Sequence, residues 1–309
     1  MLVLLIKLSR KHKFLFKGVP LVGGLSIIVS VILVYWLWIT PVMFLPKPVT
    51  ALILASSAMF IFGLIDDLKE LSVKTKLIVQ ALAVLIFVLS GLRTQIVHIG
   101  LFANILITFL WMIGITNAFN LLDVVDGLAG GVAVIVAVAF FVISFLNGNI
   151  IAAALSAALI GAVGAFVIYN LPPARVYLGN SGSHFLGFFL AGIAILISYA
   201  QSGRHPALLT PLLILGFPIF DTVFLACMRI KQKRSVLHKS GDHLVLRFLK
   251  IGHSHRKALL LMLSLSLFFA FSGVVISQVS NGLGIAVIVA ILVVGVAVGF
   301  RMNGVKIDA

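Results

Sequence analysis

Ten runs of apolar residues, bounded near 20–40, 49–65, 77–92, 101–116, 128–147, 150–169, 183–200, 207–228, 258–277 and 282–300, dominate this chain. A run of about 20 apolar residues matches the hydrocarbon thickness of a bilayer, and within lipid a helix satisfies its own backbone. Several runs are nearer 16 residues, which calls for tilt or partial insertion. The composition, 62% hydrophobic and 10% charged, carries too little polar surface for a soluble domain. The expected class is all-α: one polytopic membrane domain over residues 1–309, with about ten transmembrane helices and a large cytoplasmic loop at 229–257. Cys227 is the single cysteine, so no intrachain disulfide forms. The start, MLVLLIKLSRKHK, runs from apolar to basic, the reverse of a secretory leader, so no cleaved signal peptide is expected.

The net charge of +15 would suggest nucleic acid in a soluble protein. Here basic residues mark cytoplasmic loops and anionic headgroups, so the bilayer, not nucleic acid, is the expected partner. With both termini cytoplasmic and the runs alternating, 20 of the 23 Lys and Arg residues fall on the cytoplasmic side; Lys47, Arg93 and Arg204 fall outside. All eight acidic residues fall at or near that same side. A transporter more often keeps charges at mid-membrane. The layout predicts one active face at the inner surface of the membrane, taking a soluble substrate on one side and a lipid on the other.

Four polar stretches lie on that face. FGLIDDLKEL ends an apolar run on Asp66 and Asp67, which would point about 100° apart on a helix and so could serve two purposes. The alternative is a solvated acidic loop. Asn117, Asn120, Asp123 and Asp126 recur every third residue, a stripe of hard oxygen ligands suited to Mg²⁺ or to donors on a nucleotide. Gly127, Gly130 and Gly131 follow, and a capped helix end is the plainer reading. YNLPPARVYLGNSGSHF carries a Gly-Asn-Ser-Gly-Ser turn into a span, where backbone N–H groups can meet phosphate. The loop KSGDHLVLRFLKIGHSHRKA holds His243, His253 and His255 among cations. It reads either as a phosphate-binding wall or as an amphipathic surface segment.

Together these motifs resemble the polyprenyl-phosphate N-acetylhexosamine-1-phosphate transferases, the family of the phospho-MurNAc-pentapeptide translocase and the GlcNAc-1-phosphate transferases, with the GlcNAc-1-phosphate branch most similar. The matching stretches are GVPLVGGL (18–25), GLIDDL (63–68) with Lys76 and Gln80 downstream, NAFNLLDVVDGLAGG (117–131), LPPARVYLGNSGSHFLG (171–187), FPIFDT (217–222) and GHSHRKA (252–258). They run in the family's order over most of the chain. The resemblance implies transfer of a sugar-1-phosphate from a UDP-sugar to polyprenyl phosphate, releasing UMP, with Mg²⁺ or Mn²⁺, in cell-envelope glycan synthesis. It implies Asp66, Asp67 and His243 as catalytic residues and Asn120 and Asn180 as metal ligands. Lys76, Asn117, Asp123, Asp126, Asn170, Tyr177 and Arg247 would bind substrate, with Tyr177 placed to stack on uracil. A homodimer is compatible with it.

The chain departs from the family pattern in three places. Asn180 stands where the family has Asp, offering a neutral ligand. The histidine-rich motif is reduced to SGDHLVLRF, in which His243 remains behind Asp242. The sequence before GVPLVGGL is too short for the usual preceding span. On these grounds a catalytically weakened homologue, serving as a membrane binding or scaffold protein, stays open; a lipid-linked transporter is a third function, discounted by the one-sided charge layout.

Overall fold

The computed structural model describes residues 3, 6, 15–16, 19–39, 47–97, 99–197, 205–235 and 241–305. Lys7, Arg10, Lys11, Lys13, Lys17, Arg204, Lys239 and Lys306, counted above for orientation, lie outside the described residues. The chain divides into two compact units, Met1–Ile197 and Ser198–Ala309.

The first unit opens with a two-residue antiparallel pairing of β1 (Leu15–Phe16) with β2 (Val19–Pro20). Seven helices follow: α1 (Gly23–Val34), α2 (Lys47–Lys69), α3 (Val73–Leu89), α4 (Gly100–Leu122), α5 (Leu128–Leu146), α6 (Ile150–Asn170) and α7 (Gly179–Leu196). Helix starts follow local chemistry. The Ser72 hydroxyl accepts the Thr75 N–H at 3.2 Å and the Asn149 amide oxygen accepts the Ala152 N–H at 3.0 Å, each supplying a partner to an otherwise unbonded first-turn donor.

Helix α7 is the axle of this unit. From Ser181 to Ala194 every residue is buried, and α7 packs most extensively against α2 and α4. Glycine makes the closest approach between α2 and α7. A Cβ on Gly63 would stand 2.5 Å from the Asn180 carbonyl oxygen, so the backbones meet only without a side chain there. Gly179 has φ of +76°, and a Cβ on it would lie 2.8 Å from Asp67 Oδ2. The close GLIDD-to-GNSG contact therefore needs glycine on both sides.

In the second unit a 3₁₀ turn (His205–Leu209) leads to α8 (Thr210–Ile214), α9 (Gly216–Lys231), α10 (Leu244–Lys250), α11 (His255–Gln278) and α12 (Asn281–Asn303). The axis bends by 69° between Ala207–Ile214 and Gly216–Lys231. Pro218 lacks the N–H that would bond back across the break, and its ring disfavours an unbroken helix there.

The all-α membrane class holds, and each of the ten apolar runs overlaps helix among the described residues. The count of ten spans is not reached. Among the described residues seven helices are long and apolar enough to cross a bilayer, or eight if the bent pair is one span. The shortfall is a matter of length: the first apolar helix reaches only from Gly23 to Leu37, and α3 has 17 residues.

Candidate active site

In the first unit the C-terminal ends of α2 and α4 meet the start of α7, and this junction gathers most of the expected site residues. Asp66 and Asp67 do point apart. Asp66 is buried; its Oδ2 accepts from the Lys76 ammonium at 2.5 Å and its Oδ1 from the Leu71 N–H at 2.7 Å. Lys76 lies one turn into α3, with its side chain 17% exposed, and a single named partner engages one of its three N–H groups. Asp67 reaches the other way. Its two oxygens accept the backbone N–H groups of Asn180 at 2.8 Å and Ser181 at 3.0 Å, so the carboxylate sits on the positive start of α7.

Asn120 and Asn180 are brought together. Asn120 Nδ2 donates to Asn180 Oδ1 at 2.8 Å and to Ser183 Oγ at 3.1 Å. Asn117 is held by Gln80, which is fully buried. The two amides exchange hydrogen bonds at 2.8 and 3.2 Å, and Asn117 also donates to the Ile113 carbonyl at 2.8 Å. Both N–H groups of Asn117 are therefore engaged, which leaves it an acceptor toward any ligand.

The loop after α4 contains Asp123 and Asp126. Asp126 Oδ2 accepts the Ala174 N–H at 3.0 Å. Asn170 is buried and ties the same two loops, accepting the Gly127 N–H and donating to the Val176 carbonyl, both at 2.9 Å. Tyr177 is half-buried, and its carbonyl accepts the Gly23 N–H at 2.9 Å. Asp123 stands just past the end of α4. Part of its side chain reaches the surface, yet it lies deep among protein atoms. Removal from water, then the Asp67 and Asp126 carboxylates, push its pKa from 3.8 up to about 7.

His243 and Arg247 belong to the second unit. His243 Nδ1 faces Asp221 Oδ2 at 3.0 Å, and Asp221 Oδ1 accepts the Leu244 N–H at 2.9 Å. Arg247 is buried. Its Nη2 donates to Asp242 Oδ1 at 2.9 Å, its Nε to the Asp242 carbonyl at 3.3 Å, and its Nη1 to the carbonyls of Met302, at 3.0 Å, and Val305. His253 stacks on Phe248 and His255 begins α11, both toward the surface.

Two partners escaped the sequence reading. Asp221 as the orienting group of His243 was signalled by an acid near the end of an apolar helix, a costly placement that asks for a partner. Gln80 as the clamp on Asn117 had no local signal, since its partner is 37 residues away. His184 is fully buried, with Nδ1 on the Asn180 carbonyl at 2.8 Å and Nε2 unbonded among the described residues. Among those residues no cluster of three His, Cys, Asp or Glu side chains is placed to hold a metal.

The profile of glycosyl transferase family 4 matches residues 49–198, which carry every first-unit residue named here except Gly23. A probable undecaprenyl-phosphate N-acetylglucosaminyl 1-phosphate transferase of Bacillus subtilis is 30% identical over 286 residues, covering 90% of this chain and 78% of the relative. This chain belongs to glycosyl transferase family 4. An undecaprenyl-phosphate alpha-N-acetylglucosaminyl 1-phosphate transferase of Thermotoga maritima is 30% identical over 260 residues, 83% of this chain and 77% of that one. A phospho-N-acetylmuramoyl-pentapeptide-transferase of Staphylococcus carnosus matches at 30% over 206 residues, 59% of this chain and 63% of that one. This family 4 member thus shares most of its length with enzymes named for N-acetylglucosaminyl phosphate transfer to a polyprenyl phosphate.

Proposed function

We propose that this protein transfers N-acetylhexosamine-1-phosphate from a UDP-sugar to polyprenyl phosphate, releasing UMP, at the cytoplasmic face of the plasma membrane. The observation that carries it is the junction of α2, α4 and α7, where two adjacent carboxylates are held in different directions beside a largely buried lysine and a carboxylate short of counter-charge. Phosphoryl transfer leaves a protein little covalent chemistry and rests on positioning and charge neutralisation. Lys76 has donors left for a phosphate. Asp67, fixed by two backbone N–H groups, keeps lone pairs on both oxygens to orient an attacking or leaving oxygen. Asn117 offers an acceptor to a nucleotide, and Tyr177 a ring face. His243, which Asp221 holds, is taken as a further catalytic residue on the family resemblance alone.

Mg²⁺ suits this donor set, with Mn²⁺ an alternative. The 2.8 Å between the Asn120 and Asn180 side chains is close to the edge, about 3 Å, that two oxygens at roughly 2.1 Å from one ion would span. Turning the Asn120 amide over would present its oxygen. The ion would neutralise the diphosphate of the donor. With neutral ligands here, much of its binding energy would come from that diphosphate.

The test is UMP release from UDP-GlcNAc with purified protein and polyprenyl phosphate, titrated with Mg²⁺. Activity, and a lower half-maximal Mg²⁺ for Asn180→Asp, are expected, because a charged ligand replaces a neutral one. A weakened, non-catalytic homologue is favoured by one observation, that Asn180 Oδ1 already accepts from Asn120. Absence of UMP release at every metal concentration and with every UDP-sugar would establish that second reading.

A further inference from the structure

The geometry points to Arg247 as a positioning residue that acts through His243 and does not contact substrate; the role of His243 rests on the function proposed above. Helix α10 has seven residues, Leu244–Lys250, too few to hold a fixed direction by themselves. Two anchors fix it. At its start Asp221 takes both the His243 ring and the Leu244 N–H. With a carboxylate as partner, Nδ1 carries a hydrogen, which fixes the ring's orientation and turns Nε2 away from Asp221.

The second anchor is Arg247, one turn along, whose N–H donates to the His243 carbonyl at 3.2 Å. Its guanidinium grips Asp242, the residue immediately before His243, through side chain and backbone. The other arm takes the carbonyls of Met302, in the last turn of α12, and of Val305, two residues past its end. The last carbonyls of a helix lack intrahelical partners and carry its negative pole, so they are a natural seat for a guanidinium. Below, α9 and Gln232, the residue after it, offer a matching face, with Asp221, Phe224 and Gln232 at spacings of three and eight. Asp221 holds His243, the Phe224 ring lies 5.2 Å from the guanidinium, and Gln232 donates to Asp242 Oδ1 at 3.1 Å.

Four of the five guanidinium N–H groups are thus engaged within the protein, and the side chain is 2% exposed. A phosphate could be gripped by the fork only after it had left Asp242 or the α12 carbonyls. The same bonds pin the residues on both sides of His243.

The experiment uses full-length protein in detergent with ¹⁵N-labelled histidine, the His243 ring signals being assigned by their loss in His243→Gln. Arg247→Gln and Arg247→Lys are compared with the unsubstituted chain. Lysine keeps the charge opposite Asp242 and so the fold, but cannot span Asp242 and two carbonyls together. Both variants are expected to shift the His243 ring signals. Both should lower kcat by roughly 10²-fold, the scale of a misplaced group, with KM for UDP-GlcNAc within about threefold. Unchanged ring signals in both variants overturn the inference, as does a raised KM at unchanged kcat, which would put Arg247 on the donor. If the unsubstituted chain releases no UMP, the proposed function fails by itself, and the ring signals still decide whether Arg247 positions His243.

Discussion

The two polar clusters of this protein handle charge in opposite ways. In the second unit Asp242 meets Arg247, and Asp221 meets His243 and a backbone N–H; the guanidinium also closes a helix end. In the first unit Lys76 serves Asp66, while Asp67 has only the start of α7 and Asp123 stands among carboxylates. One cluster is complete within the protein. The other is arranged so that an outside cation or a phosphate-bearing ligand would complete it. A charged residue near a site is thus better read by whether its partners are already present than by its type.

That contrast can be broken by substitution. Arg247→Met should have the largest effect on the fold, up to about 3–5 kcal/mol of unfolding free energy, because it takes the guanidinium from buried Asp242 and leaves it the Gln232 amide and the charge of Arg229. Adding Asp242→Asn should recover much of the loss in the same thermal unfolding experiment. Asp67→Asn should act the other way. The amide oxygen can accept only one of the two α7 N–H groups and the other is left facing the amide NH2, so stability drops by about 1–3 kcal/mol, while UMP release falls by roughly 10²-fold or more, about 2.7 kcal/mol of barrier. If the two substitutions gave similar profiles of stability and turnover, the distinction between the clusters would collapse.

A third measurement concerns pH. The folded pKa of Asp123, about 7, lies above its ordinary 3.8, so the folded protein retains a proton that the unfolded chain has released. The contribution of this residue to stability is present at low pH and is lost as pH rises from about 4 through about 7. Thermal unfolding from pH 5 to 8 should show that slope reduced in Asp123→Asn; equal slopes would show that the carboxylate is already compensated. The smallest effect is expected for His184→Leu, within about 1 kcal/mol of the native stability. One net hydrogen bond is lost, and an unbonded buried nitrogen is removed with it.

Helix existence was legible because a bilayer demands long apolar runs, and the ends of those runs located Asp66, Asp67 and the Asn117–Asp126 stripe. The facing of each helix was not. In α6, Phe166 is fully buried while Ile168 is 71% exposed, and nothing in an apolar sequence distinguishes a side that meets lipid from one that meets protein. The interior position of Arg247 was hidden for a related reason. A charged residue in a loop is ordinarily solvated, and its burial depends on carbonyls more than 50 residues further along the chain. Gln80 and Asn117 illustrate the same limit, since pairing across helices leaves no trace in local spacing.

The burial of α7 on every side has a consequence for descent. Along α12, where only 17% of the apolar window is buried, one greasy residue can replace another with little penalty, so the spelling of that helix is free to drift. From Ser181 to Ala194 every position has its own neighbours, and tolerance has no helical rhythm to follow. Diverging copies of this chain would therefore come to differ first in the exposed α12 and last in α7, and the lineage would be recorded chiefly in its axle.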